Sequence, residues 1–247
     1  MTVGPESRGF YVGYRSLPRR HAVFLALMVP PLALSVALFA AAITALQRDP
    51  GTGEWQAGLA QRWEGTLIAD PYPMLFTEAG EEYLLVEVGK RGPRSDIGVH
   101  RGRRVRVEGW LLERDGRRMI ELAPESGAIT PLAGGPRRVP EHEGLGSVAL
   151  RGEIVDSKCY LGAMKPGDGK AHKACATLCV EGGIPPMLVA TGPDGTLRFI
   201  LLTDSARSRA NALVLPFIAE PVEVEGTLAR TGSTLSLAVE RVRRISE

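Results

Sequence analysis

The side chains best suited to chemistry in this chain are its three cysteines, which lie in one short segment together with a histidine. Cys159, His172, Cys175 and Cys179 follow the spacing Cys-x12-His-x2-Cys-x3-Cys. Three thiolates and one imidazole form the donor set of a tetrahedral Zn²⁺ site, and thiolates also bind Cu(I) or an iron–sulfur cluster. The first interpretation is therefore a metal site made of these four residues, with Zn or Cu as its ion.

Two other interpretations involve a disulfide and no cofactor. On a helix, Cys175 and Cys179 stand one turn apart, too far for an unstrained bond, so Cys159 would pair with one of them. The third thiol would then remain reactive or bind a partner, or else lie buried beside a purely structural disulfide. An oxidising compartment favours a disulfide, whereas the nearby histidine favours the metal, and all three interpretations stay open.

A helix is the element that would position most of these residues. Residues 170–181 have helical composition, and Gly182-Gly183 ends the helix. At about 100° per residue, His172, Cys175 and Cys179 fall on one face of this helix. The first cysteine follows a strand and could close over that face.

Lysine is distributed as unevenly as cysteine. Four of the five lysines lie in the same segment, and we expect Lys158, Lys170 and Lys173 to lower the pKa of nearby thiols. The alternative is an ordinary solvated loop in a chain that otherwise prefers arginine.

Short strand-like segments, most of them alternating, dominate the rest of the chain with turn residues between them, and their order occurs twice. The matching pairs are Glu64–Asp70 with Arg151–Asp156, Pro73–Leu75 with Pro186–Leu188, Tyr83–Val86 with Phe199–Leu202, and Val105–Gly109 with Val222–Gly226. We interpret this pattern as an internal duplication. Each copy holds about five short strands, which predicts a small OB-like barrel, with another small barrel or a sandwich as the alternative.

The two copies differ at one connection. Two residues separate Asp70 from Pro73 in the first copy, and twenty-nine separate Asp156 from Pro186 in the second. The second barrel therefore contains a helical Cys/His insert at residues 157–184, and inserts of this length are either functional or disordered. Because Asp156 takes the place of Asp70, we expect it to be a turn or cap residue.

A membrane anchor precedes both copies. No charged residue occurs between His21 and Arg48, and residues 22–46 form an apolar run long enough to cross a membrane as a helix. Arginines before this run place the N-terminus in the cytoplasm by the positive-inside rule. The run is too long for the core of a cleaved signal peptide, which is the alternative. We therefore predict a single-pass protein of a bacterial inner membrane, with its later domains in the oxidising periplasm.

The predicted fold class is mainly β, with a transmembrane helix followed by two tandem OB-like barrels. The predicted bounds are a cytoplasmic N-terminus at 1–21, a transmembrane helix at 22–46, a linker at 47–58, a first OB-like domain at 59–133, a linker at 134–146, and a second OB-like domain at 147–247.

The last hundred or so residues resemble a family of exported bacterial domains of unknown function. The resemblance rests on Asp156-Ser157-Lys158-Cys159, on Cys175-x3-Cys179 and on Gly182-Gly183 before a strand. It implies export and a shared cysteine framework, and it implies no activity. The whole chain is also similar to the membrane-anchored OB-barrel haem chaperones of cytochrome c maturation. Residues 229–247 lack the tail His and Tyr of that family, so this likeness concerns the fold alone.

Composition and motifs narrow the function further. A net charge of +2 gives no overall argument for nucleic acid as a partner, and the basic run at residues 101–106 fits a solvated strand face. The sequence shows no Ser-His-Asp arrangement, phosphate-binding loop or dinucleotide fingerprint, so we predict no catalytic residues and lean away from an enzyme.

The predicted function is a membrane-anchored periplasmic protein whose Cys/His insert binds a metal or acts in thiol redox or assembly of a partner. Its predicted partners are the inner membrane and a protein in the membrane or the periplasm. The alternative is a non-catalytic accessory subunit of a membrane complex, with a purely structural disulfide in the insert.

Overall fold

A computed structural model of the chain describes residues 18–47, 51–93, 95–124, 127–135, 139–192 and 195–245. The chain divides into two compact units, Met1–Asp49 and Pro50–Glu247. In the first unit, helix α1 (Arg19–Leu46) leaves its side chains exposed and is long and apolar enough to span a membrane. The helix starts before the predicted bound at residue 22, because Arg19 and Arg20 are good helix formers that follow Pro18. Residues 1–17 of the predicted cytoplasmic segment lie outside the described residues.

The second unit begins with a closed five-stranded barrel. The five barrel strands are β2 (Gln61–Ile68), β3 (Met74–Thr77), β4 (Glu82–Val86), β5 (Arg104–Arg114) and β6 (Arg117–Leu122). Two short strands, β1 (Glu54–Trp55) and β7 (Ile129–Pro131), flank them. Strands β5-β2-β3-β4-β6 follow one another around the barrel, and the pairing of β6 with β5 closes it. The pair β4–β6 is parallel and the others are antiparallel, while β1 and β7 both pair with β5.

A second closed barrel repeats this arrangement. Its strands are β8 (His142–Asp156), β9 (Pro186–Thr191), β10 (Leu197–Asp204), β11 (Pro221–Thr231) and β12 (Thr234–Arg244). The third and fifth strands, β10 and β12, again pair in parallel. The prediction of a mainly β chain with an apolar N-terminal helix and two small barrels is therefore confirmed. Strand β8 begins inside the segment predicted as a linker at 134–146, because its first residues pair with the end of β11.

Matching glycines explain why both copies close into barrels. Gly65 and Gly152 lie in the first strand of each barrel, and Gly109 and Gly226 lie in the fourth. A Cβ atom at any of these positions would come within 2.1–2.3 Å of a carbonyl oxygen on the neighbouring strand. Only glycine permits this close approach of two backbones, and such positions let strands bend into a small barrel.

The two barrels share a core in addition to their own. Each has its own apolar interior, and a third cluster joins Tyr72, Leu84, Val86, Leu112 and Met119 of the first barrel to Cys159, Leu161, Cys179, Ile184 and Leu201 of the second. The barrels consequently pack as one compact unit, although the sequence predicts two domains in tandem.

Equivalent connections in the two barrels carry different structures. Between the third and fourth strands, both barrels have a short helical segment: a 3-10 helix (Ser95–His100) in the first and helix α3 (Asn211–Val214) in the second. Between the first and second strands, the first barrel uses only residues 69–73. The second uses residues 157–185, which form a π-helical turn (Cys159–Ala163) and helix α2 (Gly169–Glu181).

Candidate metal centre

The end of β8 fixes the first cysteine. Asp156 is the last residue of this strand and is fully buried. Its Oδ1 accepts a hydrogen bond of 2.8 Å from the backbone N–H of Cys159, which opens the π-helical turn. This is the cap role predicted for Asp156. The bond holds Cys159 in a buried position directly after the strand.

The same aspartate orients the histidine. His172 lies in the first turns of α2 and is buried, and its Nε2 is 3.0 Å from Oδ2 of Asp156. A carboxylate that accepts a hydrogen bond from one ring nitrogen of histidine fixes the orientation of the ring. The other ring nitrogen can then bind a metal ion, which is the usual arrangement around metal-binding histidines. Asp156 therefore positions two of the predicted ligands, a role beyond the predicted cap.

The sulfur atom of Cys159 lies at a distance from each of the other two sulfurs that suits a shared ion. Cys159 Sγ is 4.0 Å from Cys175 Sγ and 4.0 Å from Cys179 Sγ, and all three cysteines are free. This separation is about twice the disulfide bond length of ~2.05 Å. A tetrahedral Zn²⁺ ion with Zn–S bonds of ~2.3 Å would hold its sulfur ligands about 3.8 Å apart. The sulfur spacing thus matches thiolates that share a metal ion better than thiols that share a bond.

The donor atoms form two overlapping groups around Cys159. In one group, the donor atoms of Cys159, His172 and Cys175 lie within 4.8 Å of one another, and in the other those of Asp156, Cys159 and Cys179 do. The structure therefore brings all four residues predicted from the sequence into one cluster that could hold a metal ion, and it adds Asp156. Cys159 belongs to both groups and is the central donor.

Sequence reasoning also missed Lys90, whose ammonium contacts two of the sulfurs. This residue lies in the loop after β4, in the first barrel, and its Nζ is 2.7 Å from Cys175 Sγ and 3.6 Å from Cys179 Sγ. The Cys175 side chain raises the pKa of the Lys90 ammonium by accepting its hydrogen bond. Lys90 is the one lysine outside the cysteine-containing segment, so no sequence spacing could connect it with the thiols.

Two lysines expected beside the thiols bind other groups. Lys158 is buried, and its ammonium bonds to Glu121 and to the backbone carbonyls of Glu87 and Gly89 at 2.7–2.8 Å. Lys173 pairs with Glu220. The positive charge that contacts the sulfurs therefore comes from the first barrel, which corrects the expectation that Lys158 and Lys173 supply it.

Two of the thiols have opposite pKa shifts. A hydrogen bond between Cys159 and Cys179 raises the pKa of the Cys159 thiol, and burial adds to this effect. The same bond lowers the pKa of the Cys179 thiol, and the charge of Lys90 contributes. Cys179 is consequently the more acidic thiol of the pair. A cation bound between the two sulfurs would displace the thiol protons, because metal ligands must be deprotonated.

The chain matches no protein-family model, no curated protein and no solved structure. The donor set of the cluster contains three sulfur atoms, one imidazole and an aspartate that already binds the imidazole. Such a set suits a soft or borderline ion in a closed site more than a hard ion such as Mg²⁺ or Ca²⁺, which prefers oxygen ligands.

Proposed function

We propose that this protein is a membrane-anchored metal-binding protein in which Cys159, His172, Cys175 and Cys179 together hold one thiophilic ion. The observation that carries the proposal is the pair of 4.0 Å distances from Cys159 Sγ to the other two sulfurs. The pairing of His172 with a buried carboxylate adds independent support, since metal-binding histidines usually have their second ring nitrogen paired in this way.

Zn²⁺ is the ion that the donor set suits best, and Cu(I) is the second. Four protein ligands of the Cys₃His type complete a tetrahedral Zn²⁺ shell and leave no open position, as in structural zinc sites. Cu(I) would need only the thiolates. Cys159 and Cys179 are buried, which favours a closed site that stabilises the fold over an open site for catalysis.

We further propose that the metal centre lies on the periplasmic side of a bacterial inner membrane. The apolar helix α1 and the arginines that precede it support this topology. The order of the five strands, with the third parallel to the fifth and a short helix before the fourth, supports an OB-like identity for both barrels. The resemblance to exported cysteine-containing domains supports the same compartment.

A thiol redox role is the second candidate function, and one observation favours it. Cys159 is equally distant from two possible disulfide partners, so a small movement could join it to either. An oxidising periplasm would promote such a bond in the absence of a metal. The partner of Cys159 would then decide which thiol remains free.

Two measurements on the full-length protein, purified in detergent with and without added metal, test the proposal. They are elemental analysis and thiol titration. We expect one metal ion per chain and three thiols that become titratable when the protein is unfolded with a chelator. One titratable thiol that rises to three only after reduction, with no bound metal, would favour the redox function. Three free thiols and no bound metal after separate loading with Zn²⁺ and with Cu(I) would contradict both.

A further inference from the structure

A loop of the first barrel covers the C-terminal end of α2. The loop comprises residues 87–92, and the N–H of Gly92 donates a hydrogen bond of 2.8 Å to the carbonyl of Gly182, just after the helix. The ammonium of Lys158 donates hydrogen bonds to the carbonyls of Glu87 and Gly89 in the same loop. The loop is therefore attached at both ends to the segment that carries the cysteines.

The loop packs so closely on the helix that there is no space for a side chain at residue 182. A Cβ atom on Gly182 would lie 1.8 Å from the carbonyl oxygen of Lys90, so any other residue at 182 would displace the loop. The φ angle of Gly182 is −71°, which every residue can adopt, so the requirement for glycine comes from this contact alone. The close contact holds the backbone of Lys90 against α2 and directs its ammonium to the sulfurs.

The position of Lys90 gives it an electrostatic role. Zn²⁺ with three thiolates and a neutral imidazole carries one net negative charge. The ammonium that donates to Cys175 Sγ at 2.7 Å would balance this charge beside a site where two of the cysteines are buried. Charge-assisted hydrogen bonds are stronger than neutral ones, and outer-shell partners of this kind raise metal affinity.

We propose that Lys90 is the outer-shell cation of the metal centre, so that the first barrel completes a site whose direct ligands all come from the second. This inference rests on the proposed metal-binding function. Lys90 is a positioning residue here: it binds a ligand sulfur and balances charge, and it does not bind the ion.

The test compares two lysine variants in the full-length protein in detergent. Lys90→Met removes the charge beside the sulfurs, and the control Lys170→Met removes an exposed charge from the first turn of α2. We expect Lys90→Met to keep one Zn²⁺ per chain but to weaken Zn²⁺ affinity about 10- to 100-fold, measured by competition with a chelator. Lys170→Met should stay within about threefold of the natural chain, and Lys90→Arg should recover most of the loss, since it restores a charged donor.

Further measurements separate a local role from general damage. Co²⁺ bound in place of Zn²⁺ should show a shifted thiolate-to-metal absorption band in Lys90→Met and an unshifted band in Lys170→Met, because only the first substitution removes a hydrogen bond to sulfur. Gly182→Ala, which displaces the loop but keeps the charge, should weaken Zn²⁺ binding in the same direction. Gly98→Ala, at a glycine with open space around it, should not.

The outcomes distinguish this inference from the proposed function. If the natural chain binds Zn²⁺ and Lys90→Met binds it as tightly as Lys170→Met, Lys90 has no outer-shell role and the metal-binding function stands. If the natural chain binds neither Zn²⁺ nor Cu(I) after loading, the proposed function is wrong and the role of Lys90 is wrong with it.

Discussion

The first connection of each barrel shows how a repeated scaffold carries a candidate site in one copy only. Both copies have an aspartate at the same place in the repeat, at or just after the end of the first strand. In the first barrel, Asp70 is exposed and pairs with Arg101 at the surface. In the second, Asp156 is fully buried and binds Cys159 and His172. The strand order is the same, so the difference in chemistry comes from the longer connection and from the burial that it creates.

The shorter connection holds the barrels together. Tyr72 is buried, and its hydroxyl donates to the carbonyl of Leu202 at 2.9 Å and accepts from the N–H of Ala210 at 3.0 Å, both in the second barrel. Burial raises the pKa of Tyr72 well above its usual value, so this hydroxyl stays neutral. One copy of the connection thus provides an interface anchor, while the other provides the candidate metal centre.

The largest expected effect is a loss of stability on substitution of Lys158, a residue of the longer connection that contacts the first barrel. Its ammonium and the Glu121 carboxylate lie 2.8 Å apart, and both side chains are buried. Lys158→Met would leave Glu121 as a buried charge without its partner, which costs about 3–5 kcal/mol. We expect the free energy of unfolding of the full-length protein, measured by urea denaturation in detergent, to fall by that amount.

The double variant Lys158→Met/Glu121→Leu is the control for this prediction. Replacing both charges with apolar side chains of similar size should recover most of the lost free energy, because no charge is then buried alone. A single variant as stable as the natural chain would show that the barrels do not depend on this pair. The longer connection would then serve the candidate site alone, and the interface would depend on the shorter one.

The second largest expected effect is a loss of Zn²⁺ affinity on substitution of Cys159, the ligand common to both groups of donor atoms. A Zn²⁺ site of four ligands contributes about 10–16 kcal/mol of binding free energy, or roughly 3 kcal/mol for each ligand. We expect Cys159→Ser to lower Zn²⁺ affinity about a hundredfold or more, measured by chelator competition. Met164→Ser, at an exposed sulfur-containing residue of the same segment, is the control and should leave affinity unchanged. Equal affinities in the two variants would contradict the central place of Cys159.

Much of the scaffold could be predicted from the sequence because its signals are local. The apolar run at 22–46 indicates a membrane helix, and the repeated strand pattern indicates two barrels. The spacing of His172, Cys175 and Cys179 places them on the helix that the structure shows at Gly169–Glu181. These inferences depend only on periodicity and on residues near one another in the chain.

The contacts between the barrels could not be predicted in this way. Lys90 reaches the thiols only because the loop that carries it packs on α2, and Lys158 turns away from its neighbour Cys159 to bind Glu121. One signal did exist. Tyr83–Val86 is apolar at every position, without alternation, which is typical of a strand buried on both faces. Leu84 and Val86 indeed face the core shared by the barrels.

The smallest effect gives the most direct comparison of the two connections, since it changes the matching aspartates. Asp156→Asn keeps the size of the side chain but removes the charge that orients His172, and partners of this kind contribute about 10- to 100-fold to metal affinity. Asp70→Asn removes only an exposed surface pair, which is worth little. We expect Zn²⁺ affinity, measured by chelator competition, to fall in the first variant and to remain unchanged in the second. Equal affinities would mean that burial has not given Asp156 a role that Asp70 lacks, and the orientation of His172 would then depend on helix packing.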